Sequence, residues 1–225
     1  MPAIARKAQV LPHADVRAIV EAAGQVDHDG NWGGDLARLI LLLAATGARF
    51  SQVVRLTVAD VRASQMQVMM PTSRKGRGEK AVSHTRIRVG EDVIAALKPV
   101  LAGRKGSETL LLRPRWRQVG PVKWERIGRA PWQSSSELLR PWAAIIERAG
   151  LAGDLVPYAL RHSSIVRGLA AGLPVRLVAA LHDTSSEMIE RHYAHFIVDA
   201  MDELAARAVV PLITPAPAKL RAVRR

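Results

Sequence analysis

The stretch Leu36 to Ala45 reads Leu-Ala-Arg-Leu-Ile-Leu-Leu-Leu-Ala-Ala, and it constrains the fold more than any other part of the chain. A helix with this pattern is apolar on nearly every side, so it needs protein partners all round. Its unbroken apolar run, Leu39 to Ala45, is far too short for a bilayer, which takes about 20 residues. Thr46-Gly47 supplies a stop. Asp35 stands where an N-cap would stand. The pattern predicts a central core helix that other helices must surround.

The rest of the chain supplies them. A helix is predicted from about Pro12 to Ala23, with Val16, Ile19 and Val20 on one face. A polar, glycine-rich loop follows from His28 to Gly34, and a short helix covers about Ser51 to Leu56. Gln65 to Met70 and Thr85 to Val89 read as two short strands. Between them lies the basic, turn-rich segment Pro71-Thr-Ser-Arg-Lys-Gly-Arg-Gly-Glu-Lys. Glu91 to Ala102 returns to a helical pattern, and further helices are predicted over 136–149, 157–171, 174–182 and 185–207. The fold class is mainly α with a small antiparallel β-sheet, an α+β domain. Residues 1–11 read as a leader, 12–210 as one domain and 211–225 as a flexible basic tail.

Charge narrows the partner. Thirty-three Lys and Arg face twenty Asp and Glu, a formal net charge of +13. Such a surplus points to nucleic acid or an anionic membrane surface. The N-terminus lacks the apolar core of a secretion signal, and no span is present, so nucleic acid is favoured. The chain has no cysteine, which excludes disulfides, thiolate metal sites and cysteine nucleophiles and fits a reducing, intracellular compartment. Residues 103–136 hold three tryptophans (Trp116, Trp124 and Trp132), eight cations and only two acids (Glu108 and Glu125). This segment reads equally as a DNA-facing loop or as a surface connection pinned by buried tryptophans.

Cutting DNA without a metal needs a nucleophile, cationic donors for the charge that builds on the phosphate, and an acid for the departing oxygen. A tyrosine suits the first task, and the chain has only two, Tyr158 and Tyr193. Three segments then fall into a familiar order. Ala45-Thr-Gly-Ala-Arg-Phe-Ser-Gln-Val-Val-Arg-Leu-Thr resembles the first arginine box of the tyrosine recombinase, or phage integrase, family. Tyr158-Ala-Leu-Arg-His-Ser resembles the second box. Leu181-His182 followed by Glu190-Arg-His-Tyr-Ala-His resembles the last. The resemblance covers about residues 12 to 200.

The resemblance implies the catalytic-domain fold of that family and a DNA strand-cleavage and rejoining reaction through a 3′-phosphotyrosyl intermediate, with no cofactor and no metal. It makes Arg49 and Arg161 the clamp on the scissile phosphate and Tyr193 the nucleophile. Lys75 is the preferred acid for the leaving oxygen, with Lys80 its competitor. Arg74, Arg77 and Lys80 would then grip the DNA backbone. Tyr158 stands where the family most often has histidine; a phenol, which titrates near about 10, is a poor base at neutral pH but a good hydrogen-bond donor. His182 matches the later histidine, whose implied role is to hydrogen-bond the scissile phosphate or the nucleophile's oxygen, and it stands eleven positions before Tyr193 against nine usual in the family. Gln52 replaces a glutamate that normally orients the first arginine. The resemblance implies double-stranded DNA as partner, a tetramer on paired DNA sites with exchanged C-terminal segments, and a cytoplasmic, nucleoid-associated location in a bacterial or phage system. The family's separate N-terminal DNA-binding domain is expected to be absent. Two other readings stay open, a non-catalytic DNA-binding module with the same fold and a type IB topoisomerase.

Overall fold

The computed structural model describes residues 9–73, 83–199, 205–206 and 209. The expected central helix is α2 (Asp35–Thr46), with Leu36, Leu39, Ile40 and Leu42 fully buried. Burying side chains of this kind contributes about 2 kcal/mol each. Around it pack α1 (His13–Asp29), α3 (Phe50–Val53), α4 (Glu91–Leu101) and α6 (Ala159–Ala170), while α5 (Leu139–Arg148) lies against α1. The chain continues through α7 (Val175–Leu181) to α8 (Ser186–Asp199), and both pack on α6. No helix among the described residues is long and apolar enough to cross a membrane.

Helix α1 runs past the Ala23 boundary that periodicity suggests, and the reason lies in Asp27. That side chain is buried, and its carboxylate accepts backbone N–H bonds from Gly34 (2.7 Å), Leu36 (2.8 Å) and Ala37 (3.0 Å). The start of α2 is therefore capped from the neighbouring helix and not by Asp35. Asp35 instead lies inside the first turn, where it pairs with Arg38 and Arg129 and accepts the Leu112 amide. Asp27→Ala should strip three helix-start donors of their acceptor and lower stability by about 3 kcal/mol. A urea unfolding curve would check this, and Asp27→Asn should lose roughly half as much.

The two expected strands form, each shifted slightly, as β2 (Gln67–Pro71) and β3 (His84–Arg88). They are antiparallel, with Gln67 opposite Arg88 and Pro71 opposite His84. A short β1 (Val61–Arg62) joins the edge of β2. The Thr72 amide donates to the Ser83 carbonyl at 2.9 Å, which extends the pairing of the two strands by one step. Arg74, Lys75, Arg77 and Lys80 lie outside the described residues, as do 1–8 of the expected leader and the tail 211–225. Residues 9–11 are tied down: the Leu11 amide donates to Ser163 Oγ (2.7 Å) and Gln9 to the Asp154 carbonyl (3.2 Å).

Residues 103–136 depart most from the sequence reading. They contain a second antiparallel pair, β4 (Leu112–Gln118) and β5 (Trp124–Pro131), which form a long hairpin. β4 does alternate, with Arg113, Arg115 and Arg117 on one face, but Pro114 and Gly128 lie inside the two runs and argue against strands when read locally. Only Trp132 is buried, stacked on Trp32 at 5.6 Å and edge-on to Phe50; Trp116 and Trp124 are exposed.

Candidate active site

Gly47 ends α2 in the left-handed conformation (φ 61°). A Cβ there would come within 2.6 Å of Ser164 Oγ and 2.7 Å of His182 Nε2, so both backbone freedom and close packing call for glycine. This tight turn delivers Arg49 to the head of α3. The Arg49 guanidinium donates to the Asp183 carbonyl at 3.0 Å and lies 3.5 Å from the Asp183 carboxylate.

Gln52 supports Arg49 differently from the expected glutamate. Its Oε1 accepts the Arg49 backbone amide (2.9 Å), and its Nε2 donates to the Pro71 carbonyl (2.8 Å) and to the Asp183 carboxylate (3.3 Å). The acid beside the guanidinium comes from Asp183, in the turn after α7, with φ 48°. The same carboxylate accepts the Ser73 amide at 2.6 Å. Asp183 thus joins Arg49, the root of the basic hairpin and the approach to α8.

Arg161 sits on the first turn of α6 and is almost fully buried. Its terminal nitrogens donate to the Gly47 carbonyl (2.9 Å) and the His182 carbonyl (2.5 Å), while the buried Nε has no protein partner among the described residues. Its guanidinium lies 5.8 Å from the centre of the Tyr158 ring. Burial lowers its pKa from the ordinary arginine value; Tyr158 opposes that shift, and Arg49 adds to it.

Tyr193 lies on α8 with its ring in a small core of Ile165, Leu169, Val178, Ala179 and Ile189. It is 5% exposed. Its hydroxyl is 2.7 Å from Nδ1 of His162, one turn along α6 from Tyr158. Burial raises the Tyr193 pKa above the ordinary phenol value, Tyr158 adds to the rise, and the two arginines pull against it. Burial, with Arg161 and His192 nearby, holds His162 down to about 4.

A cavity of about 290 Å³ brings these groups together, lined by Arg49, Tyr158, Arg161, His162, His192 and Tyr193 with apolar neighbours. Of the expected site residues, Arg49, Tyr158, Arg161 and Tyr193 share it. His182 joins the site through its carbonyl, while its ring is buried away from the cavity. Nδ1 of that ring donates to the Val178 carbonyl (2.8 Å), which leaves Nε2 to accept from Ser164 Oγ (3.0 Å). Burial holds this ring, too, down to about 4. His162 and His192 are the additions that sequence reading did not assign. His162 follows Arg161 in the second box, four residues from Tyr158 and so on the same helix face. His192 precedes Tyr193, and both its buried ring nitrogens lack a partner among the described residues.

A mainly helical domain that presents a buried tyrosine hydroxyl and two guanidinium groups to one cavity defines a class, the tyrosine recombinase catalytic domain. The chain belongs to the phage integrase family, whose family model matches residues 9–198. It is 30% identical over 200 residues to the tyrosine recombinase XerD of Corynebacterium glutamicum, covering 86% of this chain and 55% of that protein. XerD of Mycobacterium tuberculosis is 29% identical over 203 residues, with 58% of its length covered. The chain thus spans little more than half the length of these relatives. In fold it is similar to the XerA recombinase (TM-score 0.63, 18% identity, 94% of this chain and 68% of that one). It is also similar to the catalytic domain of bacteriophage HP1 integrase (TM-score 0.56, 19% identity, 92% and 98%). A third likeness is to XerH in a pre-cleavage complex with its difH substrate (TM-score 0.59, 19% identity, 89% and 55%).

Proposed function

We propose that this protein is a site-specific recombinase that cuts and rejoins duplex DNA through Tyr193. The observation that carries this is the Tyr193 hydroxyl, hydrogen-bonded to His162 inside a cavity that Arg49 and Arg161 also line. In the reaction the phenolic oxygen attacks phosphorus and the bond to the 5′ oxygen breaks. The products are a 3′-phosphotyrosyl linkage and a 5′ hydroxyl, and attack by a 5′ hydroxyl on that linkage reverses the step. Arg49 and Arg161 offer paired donors to the charge that builds on the non-bridging oxygens. Lys75, two residues beyond the anchored Ser73, is the proposed acid for the leaving oxygen, with Lys80 as its competitor. Arg74 and Arg77 are assigned to the DNA backbone. Tyr158 and His192 are assigned as donors to the phosphate, and His182 as the residue that seats Arg161. The family match favours this reading over a topoisomerase or an inactive DNA-binding module.

DNA is the proposed partner, as it is for the XerH complex. A tetramer on paired sites belongs to the same reading. An apolar groove of about 570 Å³ along α1, α2 and the start of α4 has room for an exchanged segment from a neighbouring copy. The work place would be the cytoplasm, at the nucleoid. Covalent trapping on a nicked suicide substrate built from the ends of the native element tests the whole proposal. A wild-type protein that forms no adduct on those ends would sink it.

His162 is the proposed base. With the ring proton on Nε2, Nδ1 accepts the Tyr193 O–H and can take its proton as the phenolic oxygen attacks. His162→Ala should slow cleavage by roughly 10²–10⁴-fold. The pH profile is more diagnostic. A base held down to about 4 stays unprotonated across neutral pH, so kcat/KM should be flat from pH 8 to 6 with respect to this group. It should fall only as pH drops toward about 4, because protonation there removes the acceptor. A break near pH 6.5, the ordinary imidazole value, would speak against this environment for His162.

A further inference from the structure

The β4–β5 hairpin is not used by the reaction above, and its two ends differ in chemistry. Its foot is locked onto the body. Arg113 and Arg115 lie 2.9 and 2.5 Å from Glu137, and Arg129 lies 2.6 Å from Asp35. Arg113 also covers the stacked Trp32 and Trp132 rings. Those cations are spent on structure.

Further out the pattern changes. Trp116 stands opposite Arg126, and Gln118 opposite Trp124. Cross-strand partners share a face, and so do residues two apart, which places these four side chains on one side of the ribbon. Trp116 and Trp124 are 51% and 57% exposed. On the other face Arg117 lies 3.4 Å from Glu125. Lys123 and Arg126 meet no acid among the described residues. A monomer gains nothing by holding two indoles in water, whereas a duplex groove, which offers phosphate charge beside apolar base edges such as thymine methyls, satisfies the whole face.

The hairpin's position points the same way. A single cavity runs from Arg49 and Tyr158 past Ser134 and Ser135 to Trp132 at the foot of β5. The ribbon therefore rises from the margin of the active site. Seven strand residues reach about 23 Å. A two-stranded ribbon of this kind fits the major groove of B-DNA.

We infer that the β4–β5 hairpin is a DNA-gripping arm that holds the duplex flanking the scissile phosphate, with Trp116 and Trp124 against the groove and Lys123 and Arg126 on the backbone. The inference rests on the DNA-cleaving reading of the pocket, and the test separates the two. Binding to a fluorescein-labelled mixed-sequence duplex is followed by anisotropy at several salt concentrations. The double variant Trp116→Ala/Trp124→Ala should bind about tenfold more weakly. Lys123→Ala/Arg126→Ala should flatten the slope of log affinity against log salt by about 1.8, since each phosphate contact contributes about 0.9. Trp116, Lys123 and Trp124 are exposed and Arg126 is half-buried without an ion pair among the described residues, so thermal unfolding should change little. Variants that bind the duplex as the wild type does, with the same salt slope, overturn the arm and leave the pocket's reading standing. Unchanged DNA binding with lost self-association in sedimentation would make a second copy the occupant and also overturn it. A wild-type protein that binds no duplex removes both readings.

Discussion

Tyr193→Phe should form no covalent protein–DNA adduct under conditions where the wild-type protein is trapped on a nicked suicide substrate. The variant keeps the ring and deletes only the oxygen, so the small core of Ile165, Leu169, Val178, Ala179 and Ile189 retains its filling. Stability should change by no more than about 1 kcal/mol, the value of one hydrogen bond to His162. DNA affinity should likewise be preserved, because both arginines remain in place. The expected result is therefore a protein that folds and binds but does not cut. Denaturing gel electrophoresis of the adduct, with a parallel thermal melt, checks both halves. Adduct formation by the phenylalanine variant would move the nucleophile elsewhere, and Tyr158, 44% exposed in the same cavity, would be the first place to look.

The second large effect separates the two arginines. If Arg49 and Arg161 clamp the phosphate as proposed, Arg161→Ala and Arg49→Ala should each slow cleavage by about 10²–10³-fold through loss of preorganised donors. Their costs to the fold should differ. Arg161 is 3% exposed and ties the Gly47 turn to the His182 turn through two carbonyls. Its removal leaves both acceptors buried and unpaired and opens a void, at a cost of about 3–5 kcal/mol. Arg49 has a quarter of its side chain in solvent and bonds one neighbouring turn, so Arg49→Ala should cost about 1 kcal/mol or less. Single-turnover cleavage and denaturant unfolding of both variants measure the split. Equal stability losses would mean that the Arg161 bonds to Gly47 and His182 are not holding the turns.

Some of this was legible in the chain alone. A helix apolar on all sides can only be central, so α2 followed from hydropathy. Arg49, Arg161 and Tyr193 were legible because each sits in a short segment whose neighbours repeat a known order. The hairpin of β2 and β3 followed from two β-prone runs flanking a glycine-rich basic turn. These are local features, and local features survive in a sequence.

What the sequence could not carry is the pairing of distant groups. Asp27 caps a helix that begins eight residues later, across a loop, and nothing at Asp27 marks it as a cap. Asp183 takes the acid's place beside Arg49 from 134 residues away, which no reading of Gln52 could reveal. The arm of β4 and β5 was hidden because Pro114 and Gly128 interrupt two short runs whose pairing is set across the hairpin. The central helix was thus determined by sequence, and Arg49, Arg161 and Tyr193 were marked as candidates there, since propensity and motif act within a few residues. The partner of the tyrosine hydroxyl was decided by tertiary structure. His162 and Tyr193 are 31 positions apart, and only the packing of α8 on α6 brings oxygen and nitrogen to 2.7 Å.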